Sequence, residues 1–141
     1  MKAKDVAAFF IKRGIDEENE ISNLKLQKLL YYAQGFHLAI FGSPLFDEAI
    51  YAWVNGPVVE EIYHEYKRYG KQPIDTFEYV SSLSEEDLEF LEEVWNVFGQ
   101  FSAWKLRDMT HNEKTWMDHE ADASEIPLEE LKEYFETRVK K

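Results

Sequence analysis

Residues 21–66 read ISNLKLQKLLYYAQGFHLAIFGSPLFDEAIYAWVNGPVVEEIYHEY, and this stretch decides the fold. Ser22 or Asn23 supplies an N-cap, because a short side-chain oxygen can accept a backbone N–H that the first helical turn leaves unpaired. A long helix is predicted from there to about Phe41. Its apolar positions are Leu26, Leu29, Leu30, Ala33, Phe36, Leu38, Ala39, Ile40 and Phe41. They are too many for one narrow face, so the helix is predicted to be central and buried on several sides. Gly42 closes it and Pro44 cannot continue it. Phe46 to Val54 then changes character, since Ile50, Tyr51, Trp53 and Val54 favour a strand. Thr76 to Val80 is similar, and the two segments are predicted to pair under helical cover. Asn55-Gly56 makes a turn. Such a pair ordinarily marks a tight hairpin, but Pro57 lacks a ladder donor. The reading therefore places Pro57 at the first position of a helix to about Tyr69.

The flanks read as helices. Val6, Ala7, Phe10 and Ile11 stripe a helix from about Lys4 to Arg13, which Gly14 is expected to stop. Glu17 to Glu20 reads as an exposed acidic connection. Ser84 with Asp87 resembles a capping box and opens a helix to about Gln100, with Leu88, Leu91, Val94, Trp95 and Phe98 inward. Ser102 caps a short helix to His111, and Asn112 is expected to cap the next, to about Glu120. Pro127 begins the last helix, with Leu128, Leu131, Tyr134, Phe135 and Val139 on its core face. Lys140-Lys141 suits a helix C-terminus electrostatically. The fold class expected is mainly α: a single compact bundle of six or seven helices with a small two-stranded β element. Residues 1–141 read as one domain with no internal repeat and no linker.

A chain of 141 residues can bury roughly 68% of the surface its unfolded form exposes. It contains no cysteine, which excludes disulfides, thiolate metal sites and thiol nucleophiles and fits a reducing cytoplasm. The start Met1-Lys2-Ala3-Lys4-Asp5 lacks a signal-peptide apolar region, and no run approaches 18 apolar residues. A cytoplasmic location is expected. Asp and Glu total 28 against 16 Lys and Arg, a net charge of −12. That surface repels nucleic-acid phosphates and anionic lipids and attracts basic protein surfaces, and it also serves solubility alone.

Enzyme signatures are missing. His64-Glu65-Tyr66-Lys67-Arg68 starts like a zinc-protease motif, but Arg68 stands where the second histidine belongs. His119-Glu120 fails likewise at Ala123. Four histidines at scattered positions do not make a closed zinc site, and neither metal nor cofactor is expected. There is no Gly-rich phosphate loop and no nucleophile elbow. Acidic pairs such as Glu85-Glu86-Asp87 and Glu129-Glu130 read as solvated faces. Lys25, Gln27 and Lys28, early in a second helix, invite comparison with a DNA-recognition helix. The acid excess and the scattered basic residues argue against it.

Two blocks carry a resemblance. The first is residues 21–66, with its Leu-Gln-Lys-Leu-Leu-Tyr-Tyr-Ala-Gln helix, Pro-Leu-Phe entry, Ala-Trp, and Gly-Pro-Val. The second is SAWKLRDMTHNEKTW, Ser102 to Trp116, with the helix of Ile126 to Phe135 behind it. Together they resemble the Panacea domain of the SocA-like antitoxin family, whose members are catalogued as phage-associated proteins. The likeness runs from Val6 to Phe135. Relatives often place proline just before the tryptophan, where this chain has Thr115, and that departure bears on the local turn.

The resemblance implies protein binding and not catalysis. It points to an antitoxin of a toxin–antitoxin pair, neutralising a cognate protein toxin encoded nearby by direct contact. The alternatives are a proteolytic adaptor that delivers a toxin to a bacterial protease, and a nucleic-acid-binding regulator. The candidate partner-contact residues are Tyr32, Asn55, Gly56, Pro57, Thr110, His111, Asn112, Glu113 and Trp116. Tyr31 and Tyr32 are adjacent on one helix and about 100° apart, so at least one is expected to reach solvent. Gly56 and Pro57 either build a turn or start a helix whose free N–H groups meet an acidic partner group. His111 and Asn112 either finish one helix and cap the next, or His111 and Trp116 present a polar-aromatic patch of the kind that anchors interfaces. Trp53, Trp104 and His37 read as core.

Overall fold

The computed structural model describes residues 1–77 and 83–139. Its elements in chain order are α1 (Ala3–Asp16), α2 (Asn23–Phe41), β1 (Tyr51–Trp53), β2 (Gly56–Val58), α3 (Glu60–Tyr66), α4 (Glu85–Phe98), α5 (Ala103–His111), α6 (Lys114–Met117) and α7 (Leu128–Glu136). Short 3-10 turns follow α3 at Lys67–Tyr69 and α6 at Glu120–Asp122. The protein is mainly helical with one small antiparallel sheet, the class the sequence predicts.

The central helix forms as its end signals dictate. Ser22 Oγ accepts from Lys25 N, and Gly42 ends α2 in the left-handed conformation at φ 78°, where its lack of a Cβ removes the steric penalty. Thirteen of the nineteen residues of α2 are buried, so the other helices pack around it. Phe135 of α7 sits so close to Gly35 that a Cβ there would overlap its ring. Tyr32 stacks on Phe98 of α4 with ring centres 4.2 Å apart and planes within 6°. Ile40 and Phe41, at the far end, stay about half exposed.

Ser84 and Ser102 cap α4 and α5 as expected, each accepting from the backbone N–H three residues on. The sequence misplaces other boundaries. Gly14 does not stop α1. It lies inside the helix, where a Cβ would meet Ile21 and the Asn19 carbonyl, and α1 ends two residues later before Glu18 turns left-handed at φ 54°. Asn112 does not cap α6. Glu113 occupies that position, and the Asn112 amide instead donates to Asp108 O at the end of α5. Helix α6 stops at Met117, short of Glu120. Leu88 and Leu128 are partly exposed, and Trp104 is 60% exposed instead of buried.

The β element is the main correction. β1 pairs with β2 in a tight hairpin, with Tyr51 opposite Val58, Ala52 opposite Pro57 and Trp53 opposite Gly56. Pro57 is tolerated because of ladder phase. Ala52 N donates away from β2, to Ser124 O, so Ala52 and Pro57 form a pair that exchanges no ladder bonds. The missing proline N–H is therefore not needed. The turn residues are Val54 and Asn55, and Gly56 takes φ 111° to re-enter the ladder. Helix α3 starts three residues after Pro57. Thr76 and Phe77 form no strand. The remainder of that expected segment, 78–80, and the expected lysine cap at 140–141 lie outside the described residues. Among the described residues, no helix is long and apolar enough to cross a membrane.

Candidate interaction surface

Lys28 lies under the hairpin. Its helical position points inward, and the side chain is fully buried. The ammonium donates to Pro57 O at 2.9 Å. Pro57 turns this carbonyl away from β1 because its ladder phase requires it. A Cβ on Gly56 would stand 2.5 Å from Lys28 Cε and 2.9 Å from Thr110 Oγ1. Only glycine meets both demands there, the positive φ and the close approach. Burial pushes the Lys28 pKa down to about 7, and the Arg107 guanidinium adds to the effect.

Helix α5 and the turn into α6 close over the same hairpin. Thr110 donates to Arg107 O, and Arg107 Nε donates to Asn55 Oδ1 at 3.2 Å. His111 and Trp116 stack with ring centres 4.1 Å apart and planes within 6°. The Trp116 indole N–H donates to Trp53 O at 2.7 Å. His111 Nε2 is buried without a hydrogen-bond partner among the described residues. Burial lowers its pKa, with Arg107 and then Lys28 contributing.

A groove of about 610 Å³ opens beside this junction. Its floor is Lys28, Gln27 and Asn23 of α2, and its walls are Trp53, Tyr63, Lys67 and Trp104. The floor is polar but satisfied. Gln27 accepts from Val59 N and donates to Asn23 Oδ1, while Asn23 donates to Tyr63 O. Trp53 and Tyr63 meet edge to face at 5.0 Å. The Arg107 guanidinium lies 5.1 Å from the Trp104 ring centre, a cation–π distance that steadies an exposed indole.

Behind α6 lies a second, buried polar cluster. Tyr31 and Tyr32 donate to the two oxygens of Glu113, each at 2.8 Å, and Arg138 donates to Oε2 at 2.7 Å. Since the Tyr31 proton is committed to Glu113, the Thr115 hydroxyl donates to the Tyr31 oxygen at 2.6 Å. Burial raises the pKa of both tyrosines, and the Glu113 charge adds to it. Burial also holds the Glu113 pKa above its ordinary value, although all these donors favour the carboxylate. Elsewhere, His119 bridges Ser124 Oγ and Glu130 Oε1 at 2.9 and 2.8 Å. The order resembles a hydrolase triad, but serine and histidine sit within one turn, where the bonds fasten that turn to α7.

Residues 26–117 match the family described as Antitoxin SocA-like, Panacea domain. The chain belongs to this family. Antitoxin SocA of Caulobacter vibrioides (strain NA1000 / CB15N) is 32% identical over 121 residues, spanning 77% of this chain and 64% of that protein. This chain thus spans less than two thirds of the length of that relative. No solved structure matches this chain.

The family span starts within α2 and ends with α6, so it holds the whole Lys28–hairpin–α5 junction. Of the residues singled out in the sequence, Asn55, Gly56, Pro57, Thr110, His111 and Trp116 do come together there. Tyr32 and Glu113 instead form the separate cluster behind, which Arg138, from beyond the family span, completes. Asn112 is exposed at the end of α5. Burial divides the set. Asn55 and Asn112 are exposed and His111 half-buried, while Tyr32, Gly56, Pro57, Thr110, Glu113 and Trp116 are buried. Neither Tyr31 nor Tyr32 reaches solvent. Thr115 sits in the first turn of α6, where proline is tolerated, and in this chain it contributes a hydroxyl to the tyrosine cluster.

Lys28, Arg107 and Trp104 were missed as site residues. For Lys28 a signal existed: a helix expected to be buried on several sides must bury some of its lysines too.

Proposed function

We propose that this chain is an antitoxin that neutralises a cognate protein toxin by direct protein–protein contact. Membership in the SocA-like antitoxin family, over a span that holds the whole hairpin–α5–α6 junction, carries the reading. The junction suits docking. Its buried residues are fixed by hydrogen bonds and stacking, so little ordering cost falls on binding. Trp104 and Val54 stand exposed on the rim, and exposed aromatic anchors beside rigid supports dominate interface energies. In this reading Asn55, Asn112 and the edge of His111 meet the partner. Gly56, Pro57, Thr110 and Trp116 hold them in place.

Expression of the neighbouring reading frame alone should arrest growth, and co-expression of this chain should restore growth and co-purify with the toxin. Restored growth with a shortened toxin half-life and no stable complex would favour proteolytic delivery instead.

A further inference from the structure

We infer that the groove between α2, the hairpin and α5 receives an acidic segment of the partner protein, one that pairs carboxylates with apolar side chains. This inference rests on the neutralisation reading for the partner's identity, but not for the chemistry of the groove.

The chain carries a net charge of −12, yet among the described residues this groove is lined by the exposed Lys67 and Lys71 and by no carboxylate, with Lys28 held in its floor on Pro57 O. Two helix N-termini open into it, through Ser22–Leu24 of α2 and Ala103–Trp104 of α5. Neither helix carries an acid in its first turn, although α1, α3, α4 and α7 all do. The positive end of each helix dipole thus adds to the field of Lys67 and Lys71.

Apolar contacts are also ready. Trp104 is 60% exposed and Val54 77% exposed at the rim, and Trp53 and Tyr63 form the wall. A basic or phosphate-rich partner fits less well. The lysine field repels the first, and the second meets a chain of strong overall negative charge.

The test uses the full chain and two fluorescein-labelled peptides, one of alternating aspartate and leucine and one of alternating lysine and leucine, read by fluorescence polarisation. The aspartate peptide should bind. The double variant Lys67→Glu/Lys71→Glu, and separately Trp104→Ala, should each weaken it about tenfold or more. Val97→Asp, on the face between α2 and α4, should leave it unchanged, with unaltered thermal melting confirming that each variant folds. No binding of the aspartate peptide, tighter binding of the lysine peptide, or equal affinity of the double variant overturns the inference. A second arm measures complex formation with the toxin. Loss of that complex in the double variant supports the inference. An intact toxin complex in the double variant overturns it and leaves direct neutralisation standing. If the wild-type chain binds the aspartate peptide but not the toxin, direct neutralisation fails and the acidic-peptide groove stands.

Discussion

The ammonium of Lys28 and the carbonyl of Pro57 meet at 2.9 Å beneath the hairpin, and among the described residues no carboxylate shares the bond. A lysine of α2 is thus tied to the hairpin, and both lie within the family span. The unfolded ammonium titrates near 10.5 and the folded one near 7. Between those values the unfolded chain binds more protons, so stability rises with pH across that window and levels off below it. Lys28→Met removes the titration while keeping most of the volume. Its stability relative to wild type should therefore fall by about 3 kcal/mol between pH 7 and pH 9.5. Urea denaturation at the two pH values measures this, and a pH-independent difference would mean that Lys28 is not held in the low-pKa state.

Glu113 accepts from Tyr31, Tyr32 and Arg138. Glu113→Ala strands two buried hydroxyls and releases the exposed Arg138 to solvent, so the loss should be about 2 kcal/mol or more. Glu113→Gln keeps one acceptor oxygen and should cost less. Chemical denaturation ranks the pair, and a loss below about 1 kcal/mol for alanine would show that the cluster is not satisfied through Glu113.

Gly56→Ala meets strain at φ 111° and crowding against Lys28 and Thr110 together. It should cost about 2 kcal/mol or more. Gly42→Ala serves as the comparison, since nothing lies within 4 Å of its Cβ position and strain alone applies. Thermal melting should place Gly56→Ala clearly below Gly42→Ala. The reverse order would contradict the close approach of Lys28 to the hairpin.

His111 should titrate below 6.5, because burial and then Arg107 and Lys28 oppose its protonation. Its folded pKa lies under the unfolded one, so this contribution to stability is present above 6.5 and is lost as pH falls from there through the folded value. Ring NMR signals followed with pH measure it. A value at or above 6.5 would show that the stacked ring keeps ordinary solvation.

What the sequence revealed and what it hid follows from distance along the chain. Ser22, Ser84, Ser102 and Gly42 act within a few residues, so each helix end they set was legible. The hairpin was not, because the effect of Pro57 depends on which way Ala52 points, and the carbonyl that decides this belongs to Ser124. The burial of Tyr31 and Tyr32 together was hidden likewise. It requires a two-oxygen acceptor, which Glu113 brings from more than 80 residues along the chain. The convergence of Asn55, Gly56 and Pro57 with Thr110, His111 and Trp116 was not legible, since no local spacing joins them and the fold alone brings Gly56 against Thr110 and Asn55 against Arg107. Trp104 was assigned to the core on residue type, yet α5 turns Leu106 and Thr110 inward and leaves the indole on the rim.

Calorimetric titration of the purified chain with the purified product of the neighbouring reading frame, the toxin proposed above, tests direct neutralisation most squarely. Saturable binding with a Kd below about 1 μM and a matching loss of toxin activity is the predicted result. Absence of any binding heat or co-eluting complex, in cells where this chain still restores growth, would contradict it.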